Sequence, residues 1–210
     1  MPEFAPASFA REFAAYNLQL SSAQLSQVET YLDFLLRWNR RINLTAIRQP
    51  GRIIRELFAE SMYLGTILPL SGRLLDIGSG AGFPGLALKI LQPQLAVTLV
   101  ESNQRKCTFL EEVASALHLS DVTVERARLE EIVMDVRGRF DLATTRAVDV
   151  SLPLLTDVSS VLAGGGKLVV FTTSAAASKV AILKLGFEWD PPVDVPGTGR
   201  RVILVGRKTS

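Results

Sequence analysis

Residues 74–90, LLDIGSGAGFPGLALKI, place an acidic side chain and a run of bare backbone between two apolar stretches. Glycine costs conformational entropy in such a place, so the run predicts a small molecule lying against the backbone. A dinucleotide-binding loop would carry glycine at the position of Phe83, and an acid such as Asp76 disfavours a pyrophosphate. The same acid suits a ligand with an ammonium and a sulfonium group, which describes S-adenosylmethionine. The predicted cofactor-binding residues of this loop are Asp76, Gly78, Ser79, Gly80, Gly82 and Phe83.

A second acid, Glu101, ends the next apolar run and comes 23 residues after Gly78. A carboxylate at this place accepts hydrogen bonds from the two hydroxyls of an adenosine ribose. NAD enzymes use the same contact, so Glu101 and the adjacent Ser102 support an adenosyl ligand without distinguishing the two cofactors. The third connection, RARLEEI at 126–132, is expected to meet the adenine edge, and its candidate residues are Arg128, Leu129 and Glu130, the last as a capping or orienting group.

The fourth predicted strand, FDLATTRAV at 140–148, suggests the chemistry by what it lacks. Enzymes that methylate exocyclic amines of bases share an Asp/Asn-Pro-Pro-aromatic motif at this strand. This chain has Ala-Thr-Thr-Arg at 143–146 instead. Methylation of a pyrimidine carbon needs a cysteine nucleophile nearby, and Cys107 lies elsewhere, on the helix after the second strand. An unprotonated lone pair, such as guanine N7, needs no base, and orientation alone supplies much of the rate. Arg146 is the predicted catalytic residue, binding substrate or the methionine carboxylate; its structural alternative is an ion pair with Asp149 or Glu130.

Basic residues are unevenly placed along a chain whose formal net charge is only +2. A span without Asp or Glu contains Arg37, Arg40, Arg41, Arg48, Arg52 and Arg55, and the tail adds Arg200, Arg201, Arg207 and Lys208. Guanidinium groups match phosphate geometry with paired donors, so the span favours a nucleic-acid partner. The alternative is a solvated helix face.

The composition excludes several classes of protein. A single cysteine, Cys107, rules out a disulfide framework, and a single histidine, His118, argues against a zinc centre. No apolar run approaches the roughly 20 residues of a membrane helix. The N-terminus lacks the basic and apolar regions of a secretory signal. We expect a cytoplasmic protein with no membrane partner and no metal.

The elements that position these residues follow from periodicity. Helical spacing runs through residues 1–70, with Ser22 as the expected cap of the second helix and a third helix over 50–68. Beyond it, short apolar runs alternate with helical segments, which predicts a parallel sheet with helices on both faces. The expected strands are 73–77, 96–100, 121–125, 139–143, 166–172, about 186–190 and 201–206, and the expected helices are 83–91, 103–118, 151–162 and 175–184.

These elements together predict an α/β protein with helices on both faces of its sheet. Its sheet is expected to be mostly parallel and seven-stranded. Residues 1–70 would form an N-terminal helical extension and residues 71–210 the methyltransferase domain.

The chain resembles the glucose-inhibited division protein B (RsmG) family, the bacterial 16S ribosomal RNA guanine-N7 methyltransferases. The resemblance is carried by WNRRINLTAI at 38–47, the glycine segment, LVES with RKCTFLEEV between 99 and 113, RARLEEI, and TTRAV at 144–148. It implies the class I S-adenosylmethionine-dependent methyltransferase fold with an N-terminal helical extension. It also implies S-adenosylmethionine as cofactor and the 16S RNA, or the small-subunit particle, as partner. Two motifs differ: LFAES at 57–61 replaces His-x-x-Asp-Ser, and Thr172-Thr173 replaces Lys-Gly. A same-fold methyltransferase acting on a small molecule or protein, or a non-catalytic RNA-binding relative, remains an alternative.

Overall fold

The computed structural model describes residues 6–146, 150–183 and 185–209. Its centre is a sheet of eight strands in the order β3-β2-β1-β4-β5-β8-β6, with β7 also paired to β8. Strands β1 to β5 run parallel, and β8 runs antiparallel to β5, β6 and β7. The strands are β1 Arg73–Ile77, β2 Ala96–Val100, β3 Val122–Glu125, β4 Phe140–Thr145, β5 Leu162–Thr173, β6 Phe187–Trp189, β7 Val193–Asp194 and β8 Arg201–Lys208.

The predicted fold class is confirmed, and the sheet differs from expectation by one strand. Strand β7 has only two residues, too few to show alternation in a sequence. The helices are α1 Pro6–Ala14, α2 Ser22–Trp38, α3 Pro50–Ile53, α4 Glu60–Met62, α5 Leu64–Ile67, α6 Gly85–Leu91, α7 Gln104–Ala116, α8 Leu129–Ile132, α9 Leu152–Val161 and α10 Ser174–Ile182.

Two expectations for the N-terminal extension were wrong. The cap of α2 is Ser21 and not Ser22: the Ser21 hydroxyl accepts from the Gln24 N–H at 3.2 Å, and the Gln24 side chain accepts from the Ser21 N–H at 2.9 Å. This reciprocal capping box satisfies two otherwise unpaired donors. The third helix is not one regular α-helix, because its middle, Ile54–Ala59, is π-helical between α3 and α4, and a turn at Tyr63 precedes α5. Such π-helical turns widen a helix locally and often occur at functional sites.

Helices cover both faces of the sheet. One buried cluster unites the extension with α6 and α7, and contains Phe9, Tyr31, Phe58, Leu86 and Phe109. The other cluster packs α8, α9 and α10 against the opposite face. The extension therefore shares a continuous hydrophobic core with the sheet, and burial of that core is its main source of stability.

The strand order creates a crevice at the centre of the sheet. Strands β1 and β4 are neighbours, and the chain continues from β1 towards β2 but from β4 towards β5, on opposite sides. Connections that leave in opposite directions open a cleft at the carboxyl ends of the strands, where α/β proteins bind ligands. Residues 78–84 follow β1 and Arg146 follows β4, so both predicted site segments lie at this cleft.

Candidate cofactor and substrate site

The glycine loop after β1 is shaped by φ angles that favour glycine. The φ values are +68° at Gly78, +56° at Gly80 and +83° at Gly82. The N–H groups of Gly78 and Ser79 both donate to the Val100 carbonyl, at 2.9 and 3.1 Å, which ties the loop to the end of β2. This left-handed backbone is available to glycine at little steric cost.

Protein packing, and not only a ligand, requires the bare backbone in the second half of the loop. A Cβ at Gly82 would collide with the Tyr31 hydroxyl and lie 2.8 Å from Leu86 Cδ1. A Cβ at Gly85 would lie 2.5 Å from Leu99 Cδ2. The expectation that the whole run of glycines serves a small molecule therefore needs correction. In the first half of the loop, Gly78 lines the cavity at the ends of β1 and β2, and a Cβ at Gly80 would meet only the Gly78 carbonyl, at 3.7 Å.

Asp76 lies deeper than the sequence suggested. The side chain is 0% exposed, so it does not reach the surface of the cleft. Its Oδ1 accepts from the Thr144 hydroxyl at 2.7 Å and its Oδ2 accepts from the Gly85 N–H at 3.2 Å. Ser79 is also buried, and its hydroxyl donates to the Asp76 carbonyl at 2.9 Å. Asp76 thus joins β1, β4 and α6 beneath the loop.

Burial raises the pKa of Asp76 to about 6, because the carboxylate loses its hydration, and the hydrogen bonds from Thr144 and Gly85 offset this only in part. The unfolded chain protonates an Asp near pH 3.9. Between these values the native protein binds more protons at this site than the unfolded chain, so its stability falls as the pH rises. Above about pH 6 the contribution is constant.

We expect this titration to appear in unfolding measurements. The free energy of unfolding of the wild type, relative to Asp76→Asn, should fall as the pH is raised from about 4 to about 6 and then level off. Urea unfolding of both proteins across pH 4–8 measures it, with Asp33→Asn on the exposed face of α2 as the control. If the difference in unfolding free energy between the two proteins does not vary with pH, the pKa of Asp76 is not raised in the folded protein.

Glu101 lies on the wall of a cavity of about 240 Å³ at the ends of β1 and β2. Its carboxylate is 7% exposed; one oxygen accepts from the Gly80 N–H at 3.0 Å and the other from the Asn103 N–H at 2.8 Å. A carboxylate oxygen has two lone pairs, so each oxygen retains capacity for a ligand hydroxyl. The remaining walls are Ile77, Gly78, Val100, Ser102, Ala127, Arg128, Leu129, Glu130 and Leu154.

The third connection reaches the same cavity, as expected, but its cap differs. The Arg128 N–H donates to the Glu131 carboxylate at 2.8 Å, so Glu131 and not Glu130 is the capping acid of α8. Glu130 is exposed, and its carboxylate lies 3.9 Å from the Arg128 guanidinium. Leu129 is buried and contributes an apolar wall.

Phe83 belongs to the core. It is 6% exposed and its ring stacks on Tyr31, with centroids 5.2 Å apart and planes inclined by 6°. It also meets Phe58 edge-on at 4.8 Å. Phe83, which the sequence predicted to bind the cofactor, therefore packs between the loop and the extension.

Arg146 is held by residues of the extension, and Glu130, one of the two acids considered from the sequence, pairs with Arg128 instead. Its guanidinium donates to the Glu56 carbonyl and to Ser61 Oγ at 3.3 Å, and lies 3.3 Å from the Glu60 carboxylate. Asp149 lies outside the described residues. Burial lowers the pKa of Arg146, and the Glu60 charge opposes the shift. The guanidinium also lies 5.9 Å from the ring of Phe171.

Glu60 is the residue that sequence reasoning missed at this junction. Its carboxylate is 3% exposed and bridges two arginines, with Arg201 at 2.5 Å on its second oxygen. Arg201 also contacts Glu56 at 2.7 Å. The one available signal was an acid at position 60, four residues after Glu56, within the apolar segment IRELFAESMYL. An acid there must find a partner when the segment is buried.

The arginine span divides into paired and unpaired members. Arg52 pairs with Glu56 at 2.6 Å and Arg55 with Glu12 at 2.8 Å, which withdraws both from the predicted phosphate surface. In the tail, Arg201 is part of the Glu60 cluster and Lys208 donates to the Leu162 carbonyl. Within the described part of the chain, no ion pair involves Arg40, Arg41 or Arg48.

A groove of about 340 Å³ lies beside Arg40 and Arg41, two of the arginines without an ion pair among the described residues. We call it the arginine groove; its walls are Phe34, Arg37, Trp38, Arg40, Arg41 and Glu112. The Arg37 guanidinium lies 4.5 Å from the centre of the Phe34 ring, and the Trp38 N–H donates to Glu112 at 3.1 Å. Arginines interleaved with aromatic rings suit a single-stranded nucleic acid, whose bases stack and whose phosphates pair with guanidiniums.

The Glu101 cavity fits the adenosyl part of S-adenosylmethionine. It offers an acid for the ribose hydroxyls, bare backbone at Gly78, and apolar walls for the adenine at Leu129 and Leu154. Within the described residues, no cluster of His, Cys, Asp and Glu could hold a metal ion. No helix in the same part of the chain is long and apolar enough to cross a membrane.

Fold and cavity together define a class I S-adenosylmethionine-dependent methyltransferase. Solved structures share the fold: a SAM-dependent methyltransferase from Aquifex aeolicus superposes with a TM-score of 0.63 at 17% identity, covering 77% of this chain and 94% of that one. A ribosomal protein L11 methylase from Lactobacillus delbrueckii subsp. bulgaricus gives 0.60 at 18% identity, covering 74% and 80%.

The chain belongs to the GidB family, rRNA small subunit methyltransferase G, whose model matches residues 24–185. A protein named Ribosomal RNA small subunit methyltransferase G from Chloroflexus aggregans is 39% identical over 203 residues, covering 91% of this chain and 84% of that protein. A protein of the same name from Roseiflexus castenholzii is 37% identical, covering 91% and 86%. The family and the fold imply S-adenosylmethionine as the cofactor, as the glycine loop predicted.

Proposed function

We propose that this protein methylates N7 of a guanine in small-subunit ribosomal RNA, using S-adenosylmethionine. The observation that carries the proposal is the Glu101 cavity at the carboxyl ends of β1 and β2, in a chain of the rRNA small subunit methyltransferase G family. The cofactor supplies an activated methyl group. The protein's task is to bind it, to hold the acceptor in line, and to exclude competing orientations.

The residues at the end of β4 support an acceptor that needs no base. Residues 143–146 are Ala-Thr-Thr-Arg, and the Thr144 hydroxyl already donates its hydrogen bond to Asp76. Cys107 is 1% exposed and its thiol faces the Glu101 carbonyl at 3.1 Å, so it is not a nucleophile for this cleft. Guanine N7 carries a free lone pair at neutral pH, and orientation is what it requires.

We place the target base beside Arg146. The guanidinium has five N–H donors, and three acceptors from the extension leave donors for a substrate. It borders a cavity of about 370 Å³ with the apolar side chains Val150, Leu152, Phe171, Val180 and Leu183 and the ammonium of Lys179. An unstacked base could be held between the apolar side chains of this cavity, and the two cations could contact the flanking phosphates of the RNA.

Transfer of labelled methyl from S-adenosylmethionine tests the proposal directly. We expect label in 16S RNA, supplied as naked RNA or as small subunits, and 7-methylguanosine after digestion to nucleosides. Methyl found on an exocyclic amine or on a ring carbon would contradict the assignment of N7 as the acceptor. Methyl accepted only by a protein or a small molecule would move the reaction to another substrate class.

The arginine groove should contribute RNA affinity that depends on salt. We expect the double variant Arg40→Gln/Arg41→Gln to bind RNAs of every sequence more weakly, and by a similar factor, because phosphate contacts carry no sequence information. The dependence of log affinity on log salt should flatten by roughly 1.4 units, at about 0.7 per phosphate neutralised in single strands. Filter binding at several salt concentrations measures this slope.

A matched pair of arginines in the same span provides the control. Arg52→Gln/Arg55→Gln removes equal charge, but both side chains are already paired with acids. We expect this variant to keep the wild-type slope. Equal flattening in the two double variants would mean that net charge, and not the groove, attracts RNA. No flattening in either would make the span a solvated face.

A further inference from the structure

The phenol of Tyr31 joins α2 of the extension to the glycine loop. Its hydroxyl donates to the Ala81 carbonyl at 2.5 Å, although 50 residues separate them in sequence. The side chain is 0% exposed, so this hydrogen bond is shielded from water. A buried carbonyl that lost its donor would remain unsatisfied, which costs free energy.

The ring of Tyr31 packs against three other aromatic rings. It stacks on Phe83 at 5.2 Å and meets Phe58, in the π-helical turn, edge-on at 5.0 Å. Phe109 of α7 lies 6.3 Å away at a tilted angle. These contacts fix the direction of the hydroxyl, because an aromatic ring packed on three sides cannot change rotamer freely.

Tyr31 also explains the shape of the loop around Gly82. The hydroxyl occupies the space into which a Cβ at position 82 would project. On the other side of Ala81, the Gly80 N–H donates to the Glu101 carboxylate at 3.0 Å. The loop is therefore clamped at two adjacent points, by the acid at the end of β2 and by a tyrosine of the extension.

We propose that Tyr31 is a positioning residue for the cofactor, acting through the Ala81 carbonyl to hold Gly80 and Glu101 in the geometry that receives the ribose. The extension is then part of the cofactor site as well as a cover for the sheet. This inference rests on the proposed use of the Glu101 cavity by S-adenosylmethionine. It predicts that cofactor affinity depends on a hydroxyl that does not touch the cofactor.

Tyr31→Phe tests the inference, because it keeps the ring and removes only the hydrogen bond. We expect calorimetry to show S-adenosylmethionine binding weakened roughly 3- to 10-fold, as expected for loss of one buried hydrogen bond. RNA affinity should stay within about twofold of wild type, because a phenol is not a phosphate ligand. Amides of residues 78–83 should exchange faster with solvent, while those of β5 stay unchanged.

Tyr16→Phe is the matched control. Tyr16 also lies in the extension, is 2% exposed, and its hydroxyl has no hydrogen-bond partner among the residues that the structure describes. We expect its removal to leave cofactor affinity unchanged. Wild-type cofactor affinity in Tyr31→Phe, or equal weakening in the two variants, would overturn the positioning role. Uniformly faster exchange across loop and sheet would also overturn it, by showing a role in stability alone.

The outcome for the wild type separates this inference from the proposed function. If the wild type and Tyr16→Phe bind S-adenosylmethionine and Tyr31→Phe binds it equally well, the inference fails and the cofactor site stands. If the wild type itself does not bind the cofactor, the proposed function fails.

Discussion

Glu101→Ala is expected to weaken S-adenosylmethionine binding by 10- to 100-fold. Hydrogen bonds to a charged group contribute about 1.5–3 kcal/mol, and we propose that the carboxylate accepts them from the ribose hydroxyls. The structure adds a second reason. The same carboxylate holds the Gly80 and Asn103 N–H groups, so its removal also releases the loop that lines the cavity.

Calorimetry on the folded variant measures this loss. Glu111→Ala is the control, since Glu111 lies on the exposed face of α7, the helix that begins beside Glu101. We expect it to bind as the wild type does. Unchanged affinity in Glu101→Ala would remove Glu101 from the site, and binding of NAD in place of S-adenosylmethionine would overturn the cofactor assignment.

Gly82→Ala should lower the free energy of unfolding by about 2–5 kcal/mol, the sum of two costs. A left-handed φ, +83° here, costs an L-residue about 1–2 kcal/mol. Overpacking adds about 1–3 kcal/mol, because the new methyl would meet Tyr31, Leu86 and Leu110. Since these neighbours belong to the buried core, little space exists for them to retreat into.

Urea unfolding compares this variant with Gly51→Ala. Gly51 lies in α3, and a Cβ there would meet nothing within 4 Å. Alanine also favours a helix over glycine by about 1 kcal/mol, so Gly51→Ala should be neutral or stabilising. A loss below about 1 kcal/mol for Gly82→Ala would mean that the neighbouring side chains move aside easily and that packing does not require glycine at position 82.

Much of the fold and part of the site were predictable because they depend on local pattern. The strand–helix alternation, the glycine loop and Glu101 at the end of β2 each occupy a short stretch of chain. Parallel strands bring their carboxyl ends to one edge of the sheet, so the residues that follow β1 and β2 necessarily lie close together. The confirmed fold class and family come from these segments.

Contacts between distant segments were decided only in the folded chain. Tyr31 meets Ala81, Arg146 meets Ser61 across 85 residues, and Arg201 meets Glu60 across 141. No periodicity records such pairs, because each depends on how the extension docks on the sheet. The burial of Asp76 follows the same logic: sequence places the acid on a strand, but only the packing of β4 and α6 around it removes its water and raises its pKa. Local pattern therefore determined which segments lie at the cleft, and tertiary packing determined which of their residues are free to bind a ligand and which hold the others in place.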